Sequence, residues 1–241
     1  MYKHKRPGLL ITFCGLDGCG KSTQLDMLKT WLQSKGFAVR VTKQPTAAVR
    51  QSDMFRTYMD HEDHTAYNYR ALSLLCASDR VQHCGHVILP VLETGGIILS
   101  DRYYYSCLAN LRARGYTKDK WIYDAARAVP KPDLAIFLDV PVELAVERVR
   151  TRAAERNRYI DMELQYRLRK EYIRIAKGIT RHSLWKRGAL LLDSSKPPEE
   201  TFAGIAAAVN RLIERRRLSG ADAPAKDEHE ASPETEETVY V

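Results

Sequence analysis

Lys21 follows a glycine and precedes two hydroxyl residues in the run Gly15-Leu16-Asp17-Gly18-Cys19-Gly20-Lys21-Ser22-Thr23. The spacing is G-x-x-x-x-G-K-[ST], and each residue type in it suits a polyphosphate. Glycines let successive backbone N–H groups approach phosphate oxygens with no Cβ in the way. Lys21 can reach the β and γ phosphates, and the Ser22 hydroxyl can ligate Mg²⁺. Gly15, Asp17, Gly18, Cys19, Gly20, Lys21, Ser22 and Thr23 are therefore the candidate contacts for a nucleoside triphosphate. Cys19, a thiol inside an anion-binding loop, is expected to be acidic and reactive. A second carboxylate, Asp101, stands with Arg102 and Tyr103 just after the apolar run Gly95–Leu99. That is where an enzyme with such a loop places an acid near Mg²⁺. The metal candidates are thus Ser22 and Asp101, with Asp101 alternatively orienting Arg102.

Such a loop has to be held between a strand and a helix. Gly8–Cys14 before it is a short apolar run, as in a buried parallel strand. Leu25, Leu28 and Leu32 after it form one helical stripe. Further strands are predicted at Phe37–Val41, Gly95–Leu99, Asp133–Leu138 and Ala189–Leu192. Pro45 stops the second. Helical patterns fill the intervals: Ala66 to about Leu92 with a break at Pro90, two stretches between Tyr104 and Val129, and Pro141 to about Arg150 with Pro141 at the first helical position. Another carries Leu164, Leu168, Tyr172, Ile175 and Ile179 on one face, and Phe202 to Leu212 mark the last. Five strands alternating with helices predict an α/β fold, a doubly wound parallel five-stranded sheet with helices on both faces. Ligands in such sheets bind beyond the carboxyl ends of the strands. Arg102 is expected in that cleft, and the loop Asp193-Ser194-Ser195-Lys196 is expected to face a donor base.

A chain of 241 residues, 44% hydrophobic, can bury one substantial core. Residues 1–218 are read as one domain and 219–241 as an acidic, disordered tail. The tail carries seven acids against one lysine, so the net charge of +8 leaves the rest at +14. The excess suits nucleotide phosphates as well as nucleic acid, because arginines crowd at 148, 150, 152, 156 and 158. Met1–Pro7 has no apolar leader and nothing approaches 18 uninterrupted apolar residues, so a cytoplasmic protein away from the membrane is expected. Five scattered cysteines fit reduced thiols better than disulfides or a zinc site.

Several of these motifs together resemble the thymidylate kinase family of nucleoside monophosphate kinases. Gly15-Leu16-Asp17 before Gly20-Lys21-Ser22-Thr23 is similar to its phosphate loop. Leu74-Leu75-Cys76-Ala77-Ser78-Asp79-Arg80 resembles its leucine-rich helix ending in arginine. Asp101-Arg102-Tyr103 matches its Asp-Arg-Tyr motif, and Leu138-Asp139-Val140-Pro141 its fourth-strand ending. The resemblance covers residues from about 8 to 213. It implies transfer of the γ-phosphate of ATP, with Mg²⁺, to a nucleoside monophosphate, above all dTMP. It implies small-molecule nucleotide partners and a homodimer, with no nucleic acid or membrane partner.

By the same resemblance, Arg102 is the acceptor-phosphate ligand, with Arg56 and Arg80 as further candidates. Asp17 contacts the acceptor sugar and Tyr103 packs on it. The arginine cluster sits at the family's lid, about residues 150–161. Some members place an arginine where this chain has Gly18; others deliver it from the lid. This chain looks like the second type, so Lys21, Arg102, Arg152, Arg156 and Arg158 are the catalytic candidates. Three departures fall at the acceptor site. Cys76 stands where the family commonly has a phenylalanine that stacks on thymine. Ala109-Asn110-Leu111-Arg112 replaces Ala-Tyr-Gln-Gly. Lys43-Gln44-Pro45-Thr46 replaces an Arg-Glu-Pro ending. A deoxynucleoside kinase, or a different or broader base preference, is the alternative. The first needs a general base near the end of strand 2, and Gln44 cannot accept a proton there. A regulatory GTPase is disfavoured because an Asn-Lys-x-Asp motif is absent.

Overall fold

Three strands are buried at almost every position, and these three take the middle of the sheet. The structure is a computed structural model and describes residues 1–156, 158–178 and 189–218. Strands β1 (Leu9–Cys14), β3 (Ile97–Asp101) and β4 (Leu134–Asp139) are buried throughout apart from Asp139. Burial of every residue on a pleated strand requires cover on both faces. β2 (Val39–Lys43) and β5 (Ala189–Asp193) are half-buried or exposed at every position and form the edges. All pairs are parallel, in the order β2-β3-β1-β4-β5. The predicted acidic tail and the position of Ile179 lie outside the described residues.

The helices follow the predicted intervals, with boundaries set by local chemistry. α1 (Lys21–Ser34) buries Leu25, Leu28 and Leu32 against the sheet. Two short helices, α2 (Ala47–Arg50) and α3 (Asp53–Asp60), follow β2. The long pattern begins at Tyr69 and not Ala66, because the Asn68 side chain accepts from the Arg70 amide at 2.8 Å and caps the helix. α4 (Tyr69–His83) then passes through a π turn, Cys84–Ile88, into α5 (Leu89–Glu93). Pro90 follows directly on the π turn, whose wider spacing accommodates the missing N–H without ending the helix. α6 (Tyr104–Ala113) and α7 (Trp121–Ala126) precede β4. Pro141 is the residue before α8 (Val142–Arg150), one position earlier than expected. α9 (Met162–Ala176) and α10 (Pro198–Leu218) complete the chain that the structure describes. α1 packs on α10 and α6 on α9. No described helix is long and apolar enough to cross a membrane.

At the amino ends of the central strands one carboxylate ties four segments together. Asp133 accepts from the Leu10 amide and from His4 Nε2, both at 2.9 Å, and pairs with Arg216 of α10. Burial alone would raise its pKa. The bonds from His4 and Leu10 and the charge of Arg216 outweigh that and lower it. A depressed carboxylate pKa contributes stability that is complete above the unfolded value and is lost as pH falls through the folded one. Asp133→Asn is therefore expected to cost about 2 kcal/mol, a fall of roughly 4–8 °C in Tm. The loss relative to the parent is expected to shrink below pH 4, and an unchanged melting curve at pH 7 would refute the assignment.

Candidate active site

Parallel register brings the chemistry-bearing residues to one rim. Phe13 of β1 pairs with Asp101 of β3, and Lys43 of β2 also pairs with Asp101. The chain leaves β1 into the phosphate loop beside the point where β3 delivers Asp101 and Arg102. The Arg102 amide donates to the Phe13 carbonyl at 2.9 Å. A cavity of about 300 Å³ opens there. Gly15, Asp17, Gly18, Gly20, Lys21 and Ser22 line one side; Arg50, Arg80, Arg114, Arg152 and Arg158 line the others. The excess of cations suits a ligand with several negative charges.

The loop's glycines are there for geometric reasons. Gly18 has φ +82, and a Cβ on it would stand 2.0 Å from the Ala145 carbonyl oxygen of α8. The loop thus lies flush against α8, and no side chain fits at position 18. Gly15 is confined between Leu138 and Cys19 in the same way. Lys21 is buried, with Nζ donating to the Leu16 carbonyl at 2.7 Å and 3.9 Å from Asp17. Ser22 faces the cavity, whereas Thr23 and Cys19 do not line it.

Cys19 departs from expectation. Its side chain is fully buried in the core, against Gly15, because the loop turns its amides outward and this side chain inward. The thiol expected to be reactive is enclosed, with Lys21 Nζ 3.7 Å from its sulfur. Cys14 and Cys107 are buried too, and burial pushes the Cys14 thiol up to about 12.

Asp17 joins the parts of the site. It pairs with Arg102, with Arg158 at 3.0 Å, and more distantly with Lys21. Burial would raise its pKa, but Arg102, Lys21 and Arg158 together hold it well below the usual carboxylate range. Arg102 also donates to the Tyr172 hydroxyl at 3.0 Å and to the Gly15 carbonyl at 3.3 Å. Its φ of +66 is left-handed, a conformation that costs of order 1–3 kcal/mol in a non-glycine residue. Ser100 Oγ, donating to the Arg102 carbonyl at 2.7 Å, helps to hold that turn. Asp101 approaches Lys43 Nζ at 3.4 Å, while its Oδ1 is buried with no hydrogen-bond partner among the described residues.

The arginine-rich segment after α8 folds on itself. Arg150 Nη1 donates to the Arg158 carbonyl at 2.8 Å and also to that of Arg156. Arg158 bonds Glu155 at 3.1 Å as well as Asp17, and Arg152 pairs with Glu155 at 3.3 Å. The third candidate, Arg156, is exposed and does not line the cavity. A short helical turn over Ala153–Glu155 rotates its side chain away while its carbonyl takes the Arg150 bond.

Other predicted residues are placed as follows. Arg80 is buried and lines the cavity, with Nε donating to Gln44 Oε1 at 2.9 Å. Cys76 is half-buried on the same wall. Tyr103 is fully buried and also lines the cavity, its hydroxyl donating to the Pro130 carbonyl at 2.9 Å. Arg56 does not line the cavity: it pairs with Asp60 one helical turn on, at 2.6 Å. Arg50 lines it instead, with Nη1 buried and unpartnered among the described residues. Sequence reasoning also passed over Tyr172, read as one of an apolar stripe, and Arg114, which lies over the Tyr69 ring at 4.1 Å. Asp60 four residues after Arg56 was the available signal that Arg56 is spoken for. Asp193–Lys196 does not line the cavity; Ser194 bonds the Asp139 carbonyl and Arg148.

A family model described as thymidylate kinase matches residues 13–202. The chain belongs to the thymidylate kinase family. It is 36% identical over 172 residues to a probable thymidylate kinase from Pyrococcus horikoshii, which covers 70% of this chain and 83% of the relative. It is 33% identical over 215 residues to a thymidylate kinase from Geobacillus sp. WCH70, covering 87% and 99%. A thymidylate kinase from Desulfotalea psychrophila shares 37% over 149 residues, covering 62% and 72%. Within this thymidylate kinase fold, the departures noted in the sequence separate spatially. Cys76, Gln44 and Asn110 line the cavity. Arg112 turns away to Glu171 of α9 at 2.7 Å.

The packing of Gly18 on α8 makes a direct expectation. Gly18→Ala forces backbone movement of the loop and is expected to lower stability by at least about 2 kcal/mol and to weaken nucleotide binding together. Wild-type Tm and nucleotide affinity in that variant would contradict the close approach.

Proposed function

We propose that the protein transfers the γ-phosphate of ATP to dTMP, giving dTDP and ADP. The observation that carries this reading is the convergence, on one cavity, of the phosphate loop with Arg50, Arg80 and Arg102. A kinase whose acceptor is itself an anion needs fixed cations on the acceptor side as well as the donor side. Bidentate guanidinium–phosphate geometry suits Arg102 and Arg50. Family membership disfavours the deoxynucleoside kinase alternative, and Gln44 supplies no general base for a neutral hydroxyl.

The chemistry follows from placement. An oxygen of the dTMP phosphate attacks the γ-phosphorus, that bond forms as the bond to the β–γ bridging oxygen breaks, and ADP leaves with the electron pair. Lys21 neutralises charge on the transferring group, the loop amides hold the donor phosphates, and Arg102 positions the attacking phosphate. Asp17, held ionised by its three cations, is proposed to take the acceptor sugar hydroxyl. The buried Oδ1 of Asp101, unpartnered among the described residues, and the cavity-lining Ser22 fit a hard cation, and Mg²⁺ is proposed as that cation. When bound it supplies charge neutralisation on the phosphates. We further propose that the segment 150–161 is a lid and that it brings Arg152 and Arg158 to the developing charge while excluding water. A homodimer is proposed through α4, whose Leu74, Leu75 and Val81 are exposed. Tyr103 is proposed to support the acceptor site. A cytoplasmic location, suggested by the family's nucleotide chemistry, completes the reading.

Two measurements test it. kcat/KM is compared for dTMP, dUMP, dCMP, dGMP and thymidine at fixed ATP–Mg²⁺. dTMP is expected to lead, with thymidine worse by roughly a hundredfold or more, since it leaves Arg102 without its anion. dUMP is expected to follow dTMP more closely, because Cys76 cannot stack as a ring does. Faster turnover of thymidine than of every monophosphate would overturn the assignment.

The second measurement concerns the lid arginines. Arg158→Ala is expected to lower kcat by about two orders of magnitude with smaller changes in KM. Arg152→Ala is expected to have a lesser effect, and Arg156→Ala to have none. A neutral Arg158→Ala would remove the segment from the mechanism.

A further inference from the structure

Arg80 is a cavity arginine whose side-chain partner is a buried amide. Its Nε donates to Gln44 Oε1 at 2.9 Å, in surroundings where Arg80 is 4% and Gln44 1% exposed. A guanidinium has no acceptor, so the atom that Gln44 turns toward it is the oxygen. The Gln44 amide nitrogen then faces His83 Nδ1, at 2.8 Å. An amide NH₂ only donates, so Nδ1 is the acceptor and carries no proton. The ring proton is on Nε2, which donates to Thr42 Oγ1 at 2.7 Å. Three hydrogen bonds therefore run in one direction, from Arg80 through Gln44 and His83 to Thr42. They connect the cavity wall of α4 to the edge strand β2.

We propose that His83 is a positioning residue for the acceptor site: through the amide of Gln44 it aims Arg80 at the acceptor nucleotide, and it does so only as the neutral Nε2–H tautomer. The proposal rests on reading the cavity as the acceptor site. A histidine that merely filled the core would satisfy its own bonds without setting the orientation of a group two residues away in the chain of contacts. Here the direction of each bond is dictated by the one before it.

The surroundings of His83 keep the imidazole neutral. Burial is the largest influence, Asp79 on α4 opposes it, and Arg40 of β2 and Arg80 of α4 reinforce it. From the π turn, Cys84 is kept protonated by burial and lies against Gln44. The ring's pKa therefore lies below its ordinary value. Protonation at Nδ1 would set an imidazolium N–H against the Gln44 NH₂. Relief requires the amide to turn over, which presents its NH₂ to Arg80 and removes the guanidinium's acceptor.

The experiment uses the full-length enzyme. Nitrogen-15 NMR of the wild type at pH 7 is expected to show His83 with Nδ1 unprotonated and a pKa below 6.5. Gln44→Glu keeps an oxygen for Arg80 but replaces the donor to Nδ1 by an acceptor, so His83 is expected to titrate above 6.5 in that variant. In steady-state assays, His83→Phe is expected to raise KM for dTMP on the order of tenfold while KM for ATP stays within about twofold and kcat changes less. An Nδ1–H tautomer in the wild type, or an unshifted His83 titration in Gln44→Glu, overturns the proposal. So does an unchanged KM for dTMP in a folded His83→Phe protein. If His83→Phe does not fold, the NMR titration decides alone. A wild-type enzyme that turns over no monophosphate defeats the functional reading and is distinguished from failure of the relay, which the tautomer reports directly.

Discussion

The ion cluster around Asp17 is the contact on which the site's geometry depends. One carboxylate in the phosphate loop is shared among Lys21 of the same turn, Arg102 at the end of β3 and Arg158 of the segment after α8. Three parts of the chain that are remote in sequence meet at two oxygen atoms. A half-buried carboxylate without partners would be protonated or expelled, so the cluster forms as a unit. Its cations line the cavity, so the attraction that orders the loop is also open to an anionic ligand there.

The framework behind that cluster was readable because burial leaves a simple imprint. β1, β3 and β4 are buried at nearly every position and begin with apolar runs, since each has neighbours on both sides and cover on both faces. Helix limits were less readable, as at Asn68, where one capping side chain outweighs the apolar pattern. Within the site, contiguous motifs were legible: the phosphate loop, Asp101-Arg102 and Arg80. What escaped depends on rotation or on distance along the chain. Arg50 and Arg56 sit six residues apart on two short helices, and only the turn between them decides which reaches the cavity. Cys19 is one residue from Gly20, yet the loop's path sends its sulfur into the core. Tyr172 meets Arg102 across 70 residues, and no local pattern announces that.

The departures from the family pattern acquire a physical sorting. Arg112 has left the acceptor site for Glu171, where it joins α6 to α9 and so steadies the helix that carries Tyr172. Cys76 and Asn110 stay on the cavity wall and alter its shape and polarity where a base would rest. Gln44 gives Arg80 a neutral partner whose bond has a direction.

The sheet that places Asp101 and Arg102 at its carboxyl rim anchors Asp133 at the opposite one, against His4, Leu10 and Arg216. The two rims are joined by five or six residues of strand each and share no polar contact given above. Cavity residues such as Cys76 and Asn110 can therefore be exchanged without touching the Asp133 anchor, whereas Gly18, packed against α8, ties loop and stability together.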